Sequence, residues 1–91
     1  MGRLLNVALG ATLGMAKIAG ERNRRAFELN ERGVLIAERG DPARALDYFY
    51  EAERLMPTNE ELRRTIQTNI RITENELRYW YLILWDNQQN N

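Results

Sequence analysis

The chain has 91 residues, enough for one small domain, and it contains neither cysteine nor histidine, which excludes disulfides, thiolate metal sites and the commonest general base. Serine is absent too, so the chain is not expected to be an enzyme, and no cofactor or metal is expected. Thirteen basic residues balance thirteen acidic ones, which argues against nucleic acid as a partner, because surfaces that track phosphates carry a basic excess.

The first predicted element is an apolar helix within residues 1–20, running from about Arg3 to Ala19. Its polar or small positions, Arg3, Asn6, Gly10 and Lys17, form one narrow stripe, and a helix apolar nearly all round is buried in protein or in lipid. Three readings compete. A spanning helix wants about 18 or more apolar residues, yet only Leu4 to Ala16 is clear of charge and it includes Asn6 and Thr12. A secretory signal would place a small-residue cleavage site where Lys17 stands. The favoured reading is an interface helix whose Gly10 and Gly14 let another helix approach closely. A membrane contact through residues 1–19 stays open, and so does the compartment.

Gly20 breaks the chain before a second helix, Glu21 to Glu38. Its cluster Arg22, Arg24 and Arg25 reads as a solvated face paired with Glu21 and Glu28 at helical spacing. Arg39-Gly40 stops this helix, and Asp41-Pro42 starts the next with an N-cap acceptor followed by a first-turn proline. That third helix is expected from Pro42 to about Met56, carries the stripe Ala45, Leu46, Phe49 and Ala52, and is closed by Pro57.

Thr58 and Glu61 are spaced as a capping box that opens a long fourth helix, residues 60–85. Its main stripe is Leu62, Ile66, Ile70, Leu77, Tyr81 and Leu84, and Ile72, Tyr79 and Ile83 lie on roughly the opposite face. Four of the eight aromatic residues fall between Tyr79 and Trp85, where no side chain is polar apart from the tyrosine hydroxyls. Together they could present roughly 600 to 1,000 Å², above the 300 to 600 Å² of a monomer's usual largest patch. Packing of one face against the N-terminal helix and insertion at a membrane interface are competing explanations of this surface. YWYLILW also reads as a strand, but the helical period continues into it from Leu62, so helix is preferred to strand. Residues 86–91 are expected to be a polar, frayed tail, in which ligation of calcium by Asp86 is only a weak reading.

Taken together, Ala26 to Asn59 is a 34-residue unit with Leu29, Gly33, Ile36, Ala45, Phe49, Ala52 and Pro57 in register. It resembles the tetratricopeptide motif, with Leu29 and Ile36 at large apolar places and Gly33 at the small one. The resemblance implies an all-α fold, an antiparallel helix hairpin spanning residues 21–59, flanked by the apolar N-terminal helix and the long C-terminal helix. In that hairpin Gly33 and Ala45 would permit close helix approach, Phe49 and Leu29 would fill the space between, Ala52 would admit the following helix and Pro57 would fix the turn. Arg32 departs from the pattern, standing where the family usually has an aliphatic residue.

Families of this kind bind proteins through a groove lined by the first helix of each repeat, here Phe27, Asn30, Val34 and Ala37, although Val34 and Ala37 equally suit packing on the neighbouring helix. The family's carboxylate clamp is not expected, because Asn30 and Val34 lack basic partners. The repeat occurs once, whereas such units need about three stacked copies. The favoured expectation is therefore a structural protein that binds itself, stacking single units into a homo-oligomer, filament or tube. Gly10, Gly14, Phe27, Val34, Tyr79, Trp80, Ile83, Leu84 and Trp85 would lie at its interfaces. The alternative is a small adaptor, anchored to a membrane or docked on another protein, that offers the repeat to a partner. The arginine bias, twelve of the thirteen basic residues, suits a surface engaged by protein in either case.

Overall fold

The computed structural model describes residues 18–89. The apolar N-terminal helix, with Gly10 and Gly14, is an expectation on residues 1–17, outside the described part. Within the described part the chain is all-α: α1 spans Glu21–Glu38, α2 Pro42–Arg54 and α3 Glu60–Gln89, with no strand among them.

The expected stops and starts are met at the first turn. Gly40 takes φ 91°, its N–H donates to Ala37 O at 2.9 Å, and Asp41 N donates to Ile36 O at 3.2 Å. This paired closure satisfies the last carbonyls of α1 and is open to glycine because its φ is left-handed. Asp41 then caps α2, its Oδ1 accepting Arg44 N at 3.2 Å, with Pro42 in the first helical turn.

Three boundaries differ from the sequence reading, one of them the end of α3, which runs to Gln89 rather than to residue 85. α2 ends at Arg54 rather than Met56, because Met56 turns to φ 51° in front of Pro57. Proline disfavours the α region at the residue before it, and the left-handed turn still lets Met56 N donate to Glu53 O at 2.9 Å. At the start of α3 the cap is Asn59, whose Oδ1 accepts Leu62 N at 2.8 Å, and not Thr58. Thr58 is engaged elsewhere, with its hydroxyl accepting from Asn23 Nδ2 at 3.0 Å.

α1 and α2 form a tight antiparallel hairpin. A Cβ on Gly33 would sit 2.5 Å from Cε1, 2.8 Å from Cδ1 and 3.0 Å from Cζ of Phe49, so the ring occupies the space the glycine leaves. Phe49 is wholly buried, as are Ala26, Ala45 and Ala52. α3 covers the other side of this layer with Leu62, Ile66 and Ile70, lying mainly along α2 and parallel to α1. At 1.5 Å per residue α3 is about 45 Å long, whereas α1 is about 27 Å. The fold is accordingly elongated, 53 × 21 × 16 Å, and the last turns of α3 project past the hairpin.

Candidate interaction surfaces

Three regions stand out as candidates: the α1–α3 seam, the outer arginine face of the hairpin, and the projecting end of α3. Asn23, near the start of α1, is tied to the start of α3, so the two helices begin at the same pole.

Asn23 makes that tie with its whole amide. Nδ2 donates to Ala19 O at 2.9 Å and to the Thr58 hydroxyl, while Oδ1 accepts Thr58 N at 2.8 Å and Asn59 N at 3.2 Å. About two turns further along α1 and three along α3, Asn69 Nδ2 donates to Asn30 Oδ1 at 2.9 Å, both side chains being fully buried. Asn30 Nδ2 and Asn69 Oδ1 have no hydrogen-bond partner. Thr73 Oγ1 donates back to Asn69 O at 2.6 Å, completing a polar seam in the core. The sequence reading did not single out Asn23, Asn69 or Thr73. Thr73 had a signal, the interruption of the α3 stripe between Ile70 and Leu77, where it holds an inward position; Asn23 and Asn69 had none of that kind.

This seam occupies the place expected of a groove. Phe27 is 8% exposed and Val34 6%, and Asn30 and Ala37 are buried with them. The sequence reading placed Phe27 and Val34 between subunits; the structure puts both in the core of the single chain, where they offer little surface to a partner. Of the residues assigned to repeat packing, Gly33, Ala45, Phe49, Ala52 and Pro57 are buried, and Leu29 and Ile36 are half-buried against the core.

On the outer face, Arg25 and Arg32 of α1 and Arg39, which caps its end, are spaced seven residues apart, with Arg44 of α2 alongside. The Arg32 guanidinium lies over the Tyr48 ring, 6.0 Å from its centroid, which accounts for a charged residue at a place the resemblance makes aliphatic. Leu35, exposed, and half-buried Ile36 complete a shallow groove with Arg32, Arg39, Arg44 and Tyr48. Glu31 lies elsewhere on α1, where burial and then the charge of Glu38 raise its carboxyl above the usual range. Tyr50 donates its hydroxyl to the Glu74 carboxylate, and this bond, with burial and neighbouring acidic charge, raises the phenol above its ordinary range.

The projecting end of α3 carries most of the exposed apolar surface. Leu77, Trp80 and Leu84 continue the inward stripe and lie beside Gly40 and Pro42 at the hairpin turn, where Trp80 is half-buried and Leu84 exposed. Ile83 is half-buried, and Tyr79 packs edge-on to Trp80 with centroids 5.6 Å apart. On the other side Arg78, Tyr81, Leu82 and Trp85 form an open apolar groove, with Tyr81 77% and Trp85 61% exposed. At 150 to 250 Å² for a whole aromatic side chain, Tyr79, Tyr81, Leu82 and Trp85 leave roughly 500 Å² uncovered. The expectation of a frayed tail is corrected at Asp86 to Gln89, which continue α3.

Among the described residues no helix is long and apolar enough to cross a membrane, so the membrane reading rests on residues 1–19, nearly all outside them. Comparison of the chain with models of known protein families, with curated proteins and with solved structures finds no match.

Proposed function

We propose that the chain is a structural self-assembly module, a single tetratricopeptide-like unit that stacks on copies of itself. The observation that carries this reading is the end of α3, whose aromatic surface runs past the hairpin with no part of the described chain beside it. Hiding 500 Å² of apolar surface is worth on the order of 12 kcal/mol at 25 cal/mol per Å², comparable to the freedom lost when two proteins associate. A solenoid unit with no polar cap has no built-in stop, and repeated contacts of this kind close into rings or propagate as filaments or tubes. Tyr79, Trp80, Ile83, Leu84 and Trp85, with the exposed Tyr81 and Leu82 beside them, are the residues on which assembly depends. Phe27 and Val34, being core residues, support it only by holding the unit together.

Light scattering of the full chain at micromolar concentration tests this. Wild type is expected to scatter as an oligomer or polymer without lipid, and Trp80→Ala or Trp85→Ala to reduce it to smaller species with the helical content retained. A wild-type monomer under these conditions overturns the proposal. The adaptor reading is favoured by one feature, the uncharged run Leu4 to Ala16, and predicts instead that the chain co-sediments with liposomes and loses this on removal of residues 1–19.

A further inference from the structure

We infer that the projecting ends of α3 from two copies pair antiparallel about Leu82, forming a closed two-fold joint. The inference rests on the self-assembly reading and deepens it by naming the partner of this surface as the same surface on a second copy.

The spacing of the open side comes first. Arg78, Leu82, Trp85 and Gln89 succeed one another by four, three and four residues, the spacing of a helix-pairing seam, and Tyr81 flanks it. The inward stripe of Leu77, Trp80 and Leu84 is partly occupied by the hairpin turn, so the seam lies on the side that the single chain leaves open. Tyr81, Leu82 and Trp85 stay largely exposed on the side turned away from Gly40 and Pro42, and among the described residues this leaves a second helix room to lie against them.

Charge then fixes the direction. Arg78 and Asp86 each lie four residues from Leu82, on opposite sides, so an antiparallel partner centred there sets Arg78 of each copy against Asp86 of the other. A parallel pair in register would oppose Arg78 to Arg78 and Asp86 to Asp86. Among the described residues Arg78 Nη1 donates only to the exposed Asn75 Oδ1, at 3.2 Å, a weak tie that it can exchange for a carboxylate. These two are the only charged residues between Glu76 and Gln89, so the seam carries one complementary pair per copy and no surplus charge.

The area is of the right order. Two copies bring about 1,000 Å² together, near the lower bound for a specific interface, so the joint is weak alone and gains strength where other contacts act with it. Because an isologous joint is closed, growth beyond a dimer proceeds through a different surface, the sides of the hairpin.

The absence of cysteine makes the test direct. In the full chain, Leu82→Cys should oxidise to a disulfide-linked dimer far faster than Ala43→Cys, a control on the exposed start of α2. Arg78→Asp or Asp86→Arg alone should weaken dimerisation by about tenfold, each opposing like charges twice per joint, and the combined reversal should restore it to within about threefold. If wild type sediments as an oligomer but Leu82→Cys links no faster than the control, or the combined reversal restores nothing, this joint is wrong and self-assembly stands. Preferential linkage of Leu82→Cys to a second chain carrying Ala11→Cys also overturns it, by assigning the surface to an N-terminal segment. A wild-type chain that is monomeric throughout overturns both.

Discussion

Replacing Gly33 with alanine separates two opposed effects whose sizes follow from the structure. In an exposed helix the change would stabilise by about 1 kcal/mol, because glycine is the poorer helix former. Here the added methyl meets three ring carbons of Phe49 at 2.5, 2.8 and 3.0 Å, against an optimum near 3.5 to 4.0 Å. The ring has nowhere to go, since Phe49 is fully buried and packed in a core whose Ala26, Ala45 and Ala52 are fully buried too. Overpacking of this kind costs about 1 to 3 kcal/mol, and with three atoms in conflict the upper end applies, leaving a net loss of about 2 kcal/mol. For a domain of this size that lowers Tm by roughly 8 to 16 °C. Thermal and urea melts at one fixed protomer concentration measure it, because association makes Tm concentration-dependent. Phe49→Leu should lose stability by itself, yet combined with Gly33→Ala it should lose at least about 1 kcal/mol less than the two separate losses predict. Gly40→Ala supplies the contrast: its Cβ meets nothing within 4 Å, so its cost arises from φ 91° alone and Phe49→Leu does not relieve it. A Gly33→Ala chain as stable as wild type, or one showing no coupling to Phe49→Leu, refutes the packing argument.

Other predictions follow from the polar seam and from charge. Asn23→Ala removes a side chain that bonds Ala19, Thr58 and Asn59, and should cost about 1 to 3 kcal/mol, with faster amide exchange at Thr58 as its local signature. Asn69→Leu alone should destabilise by about the same amount, because it strips the buried Asn30 amide of its one bond, whereas Asn30→Leu with Asn69→Leu should be near neutral or stabilising in urea melts. The raised carboxyl of Glu31 means that the folded chain binds this proton more readily than the unfolded chain. Its favourable contribution is therefore complete below the unfolded carboxylate range and is lost as pH rises through the folded one. Glu31→Gln should then raise Tm at neutral pH, with the difference shrinking as the solution is acidified; a difference that grows on acidification would reverse the sign of the effect.

Much of the hairpin was legible because its signals are local and agree with one another. Gly40, Asp41 and Pro42 specify a stop, a cap and a start within three residues, and α1 and the start of α2 fall where those residues put them. The resemblance implied that Gly33 and Ala45 bring the two helices close and that Phe49 and Leu29 fill the space between them; the structure sets the Phe49 ring directly on Gly33. The cap of α3 slipped by one residue because Thr58 has a competing long-range partner in Asn23, which no local pattern reveals. α3 runs on to Gln89 because Asp86 to Gln89 contain neither glycine nor proline to stop it, so polarity alone was a poor guide to its end. Phe27 and Val34 were assigned outward by analogy with a groove, whereas the Asn30 to Asn69 bond holds α3 against this side of α1. The aromatic end was legible as surplus apolar surface, and the structure divides it into an inner stripe beside Gly40 and Pro42 and an outer seam through Leu82.

Sedimentation of the purified full chain, followed across the micromolar range without lipid or detergent, tests the proposed self-assembly most directly. The account predicts a mass that rises with concentration to a multiple of the 10.7 kDa protomer and falls back when Trp85 is replaced by alanine. A single 10.7 kDa species at every concentration contradicts it.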